Sequence, residues 1–307
     1  MNRRERGVAL VTALLVVALA AVAAVAMTSR QQVDIRRTQN ALEAEQLRFY
    51  LYGVEDWAGK VLEQDRKDNQ VDHTGEDWAT RLPPVPLDNG QLSGHIEDAQ
   101  GRFNLNNLVI DGKTSAEDLA RLRRLLAALE LEPTLADAVV DWIDANVEPW
   151  PPHGAEDTAY LGREPPYRSA NRPLADVSEL RLVAGFDADS CRLLAPHVTA
   201  LPARTAINLN TATVEVIMAL ADGIGRDDAE GFVAGRDGQH YATLDEALKA
   251  PALAERKVAH DGLGVSSDYF VVMSDISFGR LRQRYSSLLQ RGETGATTLL
   301  TRSQLYL

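Results

Sequence analysis

The chain is expected to be an α+β protein: a long N-terminal helix packed on an antiparallel sheet, with a large all-α domain inserted into that sheet. Three observations point there. No proline interrupts the first 82 residues. Period-two alternation of side chains marks the C-terminal end. Between the two ends lies a block rich in helix-capping signatures.

The first element explains itself. Residues 1–7, MNRRERG, carry three arginines against one glutamate, and residues 8–27, VALVTALLVVALAAVAAVAM, carry no charge and Thr12 as the one polar side chain. Twenty helical residues rise about 30 Å, the thickness of bilayer hydrocarbon. Arginines ahead of such a segment hold the N-terminus in the cytoplasm. From residue 28 the sequence continues without a breaker, and Leu47, Tyr50, Leu51, Val54, Trp57, Ala58, Val61 and Leu62 recur at spacings of three and four. One helix therefore runs from about residue 8 to about residue 65, apolar all round and then amphipathic. The stripe of Leu47, Leu51, Val54 and Ala58 is expected to exceed what a small head can cover, leaving apolar surface for partners.

Composition narrows the function. The formal charge of −12 over 307 residues disfavours general affinity for nucleic acid or an anionic membrane. One cysteine excludes an intrachain disulfide, and the six histidines show no metal-ligand spacing. P-loop, nucleophile-elbow and dinucleotide fingerprints are absent from the sequence. A structural subunit fits better than an enzyme.

After the stem comes a Pro/Gly-rich passage, residues 83–90. GQLSGHIEDAQGRFNLNNL then reads as a short hairpin turning at Asp98-Ala99-Gln100-Gly101. In RLRQRYSSLLQ, Leu281, Tyr285 and Leu289 alternate with Arg280, Arg282 and Arg284, so the arginine row forms one strand face. Gly292–Gly295 supplies a turn before a last strand near 297–301. The intervening block, 113–262, shows capping pairs at Ser115/Asp118, Thr134/Asp137, Asp176/Glu179 and Thr243/Glu246. It also repeats: LVAGFDADSC (182–191) aligns with LADGIGRDDA (220–229), each reading as the tight turn of a helix-hairpin-helix unit. Such hairpins can hold DNA phosphates. From Thr205 to Ala250, however, eight acids face three basic residues, so phosphate would be repelled.

Helix 134–147 places Asp137, Asp141, Asp144 and Glu148 opposite an apolar face, and an aperiodic stretch from Pro149 to Pro173 follows. A structureless loop of that length is usually functional or tied down. Asp144, Asn146, Glu156, Asp157 and Asn171 are hard oxygen donors in or beside it, the type Ca²⁺ collects in sets of six to eight.

The leader ending in Gly7, the uncharged run and the amphipathic continuation resemble a type IV pilin-like prepilin. With RGVALVTALLVV, DAQGRFNLNNL, DWIDANVEP…GAEDTAYL…PPYRSANRPLADVSEL and INLNTAT, the chain resembles the K-type minor pseudopilins of the type II secretion system. That resemblance implies a pilin-like fold divided as leader 1–7, transmembrane helix 8–27, stem 28–66, first part of the head 67–112, inserted helical domain with the metal loop 113–262, and C-terminal strands 263–307. It implies peptidase cleavage between Gly7 and Val8 with methylation of the new N-terminus. It implies single-pass residence in the inner membrane with the bulk of the chain periplasmic. Its partners would be the I- and J-type minor pseudopilins, the major pseudopilin and the prepilin peptidase, with secreted proteins as candidates for contact at the tip. It also implies bound calcium. The fifth mature residue of such proteins is usually Glu, which meets the N-terminus of the preceding subunit; here it is Thr12, as suits a subunit that enters first. A periplasmic DNA receptor and a minor pilin of a true type IV pilus are the alternative readings.

Overall fold

The computed structural model describes residues 3–236 and 238–305. Helix α1 (Arg3–Asp68) is continuous over 66 residues, about 100 Å at 1.5 Å per residue. Its apolar part contains a window of mean hydropathy 2.8 that is 0% buried, so this is a helix long and apolar enough to cross a membrane. Gly7 and the backbone of Val8 fall in its first turns; the Val8 side chain lies outside the described atoms.

Strands β1 (Leu82–Leu87) and β2 (Gly90–Asp98) follow. The short pieces β3 (Phe103–Asn104), β4 (Val109–Ile110) and β5 (Lys113–Thr114) lead into helices α2 (Ala116–Ala128), α3 (Leu135–Ile143) and α4 (Asp157–Tyr160). Next come α5 (Ala188–Leu194), β6 (Val198–Thr199), β7 (Ile207–Asn208), α6 (Val214–Met218), α7 (Arg226–Gly235) and α8 (Leu244–Leu248). The chain closes with β8 (Leu263–Gly264), β9 (Tyr269–Phe278), β10 (Leu281–Arg291) and β11 (Thr297–Leu305). The main sheet is antiparallel in the order β1-β2-β9-β10-β11. Helices α2 to α8 fall, in chain order, between the adjacent strands β2 and β9.

The sheet packs on the C-terminal half of α1. Val54, Ala58 and Leu62 meet Trp78, Ile96, Phe270, Val272 and Leu289, while Leu47 and Leu51 meet Ile276. The expected uncovered stripe is therefore corrected: Leu47, Leu51, Val54 and Ala58 are 0–5% exposed and form this chain's own core. Strands β2, β9 and β10, with Trp78, present enough apolar surface to cover these four side chains. Gly59 permits the close approach, since a Cβ there would lie 2.5 Å from the Thr297 hydroxyl on β11.

Two local expectations also change. Asp98–Gly101 does not turn a hairpin: β2 pairs with β1 and β9, and β3 leaves to pair in parallel with β6. The real hairpin is β1–β2, and the proline-rich passage is its edge strand, where missing N–H groups cost nothing. The Thr134 side chain makes no cap bond, because its backbone is already helical (φ −66°, ψ −18°) and the Asp137 N–H bonds the Thr134 carbonyl at 3.1 Å; the Asp137 carboxylate instead receives Arg123 Nη2 at 2.6 Å. Ser115 and Thr243 do cap α2 and α8, and the Asp176 side chain accepts from Ser178 N.

The helical block has a separate core of Leu, Ile, Val and Ala side chains with Trp142, Tyr160 and Phe232. Its repeated turns both place glycine where an L side chain is strained, at Gly185 (φ 86°) and Gly223 (φ 80°).

Candidate functional site

The sequence-selected oxygen donors gather where α3 ends. The helix stops at Ile143, four residues earlier than expected, and the chain folds back over its acidic side. That side is consequently no solvated face. Asp137, Asp141 and Asp144 are 0–5% exposed beneath the loop. Asp141 accepts the Trp150 N–H at 2.9 and 3.1 Å, which pins the loop's start to the helix. Asp144 accepts the Asn146 amide nitrogen at 2.7 Å and the Asn146 N–H at 3.2 Å.

Glu156 is the unusual member. It is 3% exposed, yet neither carboxylate oxygen has a hydrogen-bond partner, and the buried Oδ1 of Asn171 is likewise unpartnered. Unpaired buried acceptors of this kind cost free energy unless something positive meets them. Burial, and then the negative charges of Asp141, Asp144 and Asp157, push the Glu156 carboxyl up to about 7. Burial also pushes Asp141 up to about 6, against the N–H groups of Trp150 and Ala155 that hold it down. Asn171 adopts a left-handed backbone (φ 44°) and donates through Nδ2 to the Asn146 carbonyl at 2.9 Å.

The remaining candidates sit differently. Asn146 is a bridge: its Oδ1 already accepts Glu148 N at 2.7 Å. Asp157 is half-buried and partly engaged, by Ser169 N at 3.1 Å and Arg168 at 3.2 Å. Asp141, left out of the expected donor set, belongs to the cluster; its place three residues before Asp144 on the helix was the available signal.

A second acidic group is satisfied internally. Asp65, Asp72 and Glu76 bring carboxylate oxygens within 4.8 Å of one another, but Arg291, itself 1% exposed, binds Asp65 at 2.7 Å and Asp72 at 2.6 and 2.7 Å. Its guanidinium also lies over the Phe270 ring. Beside it is a buried joint. Asn208 donates to the Asp72 carbonyl, Asp98 and Ser267 at 2.9–3.0 Å, and Ser267 Oγ donates to Asp98 at 2.7 Å. The two motifs DAQGRFNLNNL and INLNTAT thus meet: they are the hydrogen-bonded seam between sheet and helical block. Asn104, Asn106 and Asn107 extend it by clasping the backbone at Leu174, Leu201, Ala203 and Thr205. The hairpin acids lie outside this seam, where Asp222 pairs with Arg124 at 2.8 Å and Asp228 with Arg256 at 3.2 Å.

A long apolar helix carrying an antiparallel sheet, with a helical block between neighbouring strands, defines a helix-stemmed α+β class. Two family models described as type II secretion system (T2SS), protein K, match residues 101–203 and 207–266. The chain is 40% identical to type II secretion system protein K of Pseudomonas aeruginosa, covering 98% of this chain and 93% of that protein. It is 34% identical to the Aeromonas hydrophila protein of that name, covering 98% and 97%. The structure of the GspK-GspI-GspJ complex from enterotoxigenic Escherichia coli matches with a TM-score of 0.80 at 30% identity, covering 88% of this chain and 100% of that one. The chain belongs to the type II secretion system protein K family.

Proposed function

We propose that this chain is a non-catalytic minor pseudopilin that sits at the tip of a periplasmic pseudopilus, starts its assembly and supports export of folded proteins across the outer membrane. The observation that carries this reading is similarity over nearly the whole chain to a protein solved in complex with GspI and GspJ. Its partners are then the I- and J-type minor pseudopilins, followed by the major pseudopilin. The block 113–262, lying between adjacent strands β2 and β9, is an inserted domain that broadens the tip, and its two glycine turns serve packing as helix-hairpin-helix-like units.

Residues 8–27 anchor the chain once in the inner membrane with the N-terminus cytoplasmic, after peptidase cleavage between Gly7 and Val8 and methylation of Val8. Thr12, where related subunits carry Glu, suits a subunit with no predecessor. The side of the stem that the sheet leaves open, with Phe49 at 65% and Tyr52 at 42% exposure, is the surface offered to neighbouring stems.

Calcium is the proposed ligand of the loop site, and the unpartnered oxygens of Glu156 and Asn171 support it. Glu156, Asp144 and Asn171 would hold the ion, with Asp141 and Asp157 completing the negative field. When bound, the ion supplies the positive charge that these buried oxygens otherwise lack, and so fixes the loop. Full-length chain in detergent mixed with the I- and J-type subunits tests the reading: a stable three-part complex is expected, and failure to associate with either subunit overturns it.

A further inference from the structure

The arginine row of β10 has a use that the stem and the loop site leave open. Two cavities of about 340 and about 290 Å³ share Arg81 and His95 as a common wall; the first lies on the sheet face turned away from α1, and the second reaches past β2 to Trp78, Ile96 and Thr211. With Arg284 lining the first and Arg102 the second, the two make a trough that Arg81 and His95 divide. Three guanidiniums, Arg81, Arg102 and Arg284, line it and Arg282 stands beside Asp275, against two carboxylates in its wall, Glu97 and Asp275. Both carboxylates are spoken for. Asp275 accepts Nε and Nη2 of Arg282 at 3.0 and 2.8 Å and Nε of Arg284 at 2.9 Å. Glu97 is held by Arg102 and by His95 Nε2, the latter at 2.8 Å. The third nearby acid, Asp98, is buried below and fills its oxygens with bonds from Gln100 N, Ser267 and Thr211. Two positive charges are left over. Arg81 is exposed and has no ion pair among the described residues, and Arg284 binds Asp275 through Nε alone, which leaves its terminal N–H groups directed elsewhere.

A net positive trough in a chain of formal charge −12 is a local exception, and it acts locally, because ionic screening confines its field to about 8 Å. Guanidiniums with free N–H groups pair bidentately with carboxylates. A duplex or a membrane needs many phosphate contacts and would meet the acids of the rest of the chain; a short carboxylate-bearing segment needs only the trough. We propose that this trough is a docking groove for an acidic segment of a partner protein, which lies across the open sheet face between Arg81 and Arg284.

The test uses full-length protein in detergent and a short fluorescein-labelled peptide of alternating Glu and Ser, followed by fluorescence anisotropy at low ionic strength. Saturable binding is expected, weakening as salt rises, and absent for the Gln/Ser version of the peptide. Arg81→Glu with Arg284→Glu should weaken it at least about tenfold, the equivalent of about 1.4 kcal/mol. Arg81→Glu alone, at an exposed and unpaired side chain, should give a partial loss without altering the fold, and Arg81→Lys should restore most of the binding. Arg192→Glu, on the helical block, should change nothing. Absence of binding, equal binding by the Arg81→Glu protein, or ready displacement of the peptide by duplex DNA would each overturn the proposal.

Discussion

Replacing Glu156 by Gln should have opposite effects on stability with and without calcium. In the metal-free protein Glu156 is buried, its oxygens have no partners, and its carboxyl rises from the ordinary 4.5 to about 7. A rise of that size corresponds to about 3 kcal/mol against the ionised form. Because the folded state holds the proton more tightly than the unfolded state, this penalty is absent below pH 4.5, grows as pH rises toward 7 and is complete above it. At pH 8 without metal, Gln removes the charge but leaves an amide that also lacks partners, at a cost of about 1–2 kcal/mol. The net gain is about 1–2 kcal/mol, or about 2–4 °C in Tm. Calcium at a hundred times its Kd should add about 2.7 kcal/mol to the wild type and little to the variant, so the order of the two melting curves inverts. Thermal melting at pH 8 in calcium and in chelator reads this directly. Superimposable wild-type curves, or a metal-free variant less stable than wild type, would refute the reasoning.

Three further outcomes follow from other parts of the molecule. Arg291→Met should destabilise the head by about 3–5 kcal/mol, since it strands Asp65 and Asp72 at a buried position; denaturant unfolding followed by tryptophan fluorescence measures it. Leu51→Asp should unfold the head, because Leu51 is packed on Ile276, at a cost of at least about 3 kcal/mol, whereas Phe49→Asp, two residues away on the open side, should leave melting unchanged and weaken association with partner stems. Mass spectrometry of membrane-extracted protein should find a chain starting at N-methylated Val8, with Gly7→Val blocking the cut; a mature N-terminus at Met27 would mean ordinary signal cleavage.

Much of the fold was legible because its strongest signals are periodic. An unbroken apolar run followed by a three-and-four spacing fixes α1, and the alternation in β10 fixes its faces. What escaped is what depends on distant partners. Whether Leu47, Leu51, Val54 and Ala58 are covered is decided by β9, YFVVMSDISF, a mostly apolar run whose central place depends on pairing with both β2 and β10. Residues 98–101 look like a turn because Asp and Gly favour turns, yet Asp98 and Gln100 are there to bond Asn208, Ser267 and Ala206 across the seam. At the loop site, residue type and spacing pointed to Asp144, Glu156 and Asn171, but not to which oxygens are already used. Asn146 is consumed as a bridge, and Asp141 enters through the fold-back of the loop. Hydrogen-bond bookkeeping of that kind exists only in three dimensions.

The proposed tip role rests on assembly, and assembly can be weighed. Full-length chain extracted in detergent, mixed with the I- and J-type minor pseudopilins and passed through size-exclusion chromatography with light scattering, should elute as one species with the mass of a single copy of each. Phe49→Asp should shift that peak toward the free subunits without changing the melting of this chain alone. If the wild-type chain elutes apart from both subunits at concentrations where they associate with each other, the account of this protein as a tip pseudopilin is wrong.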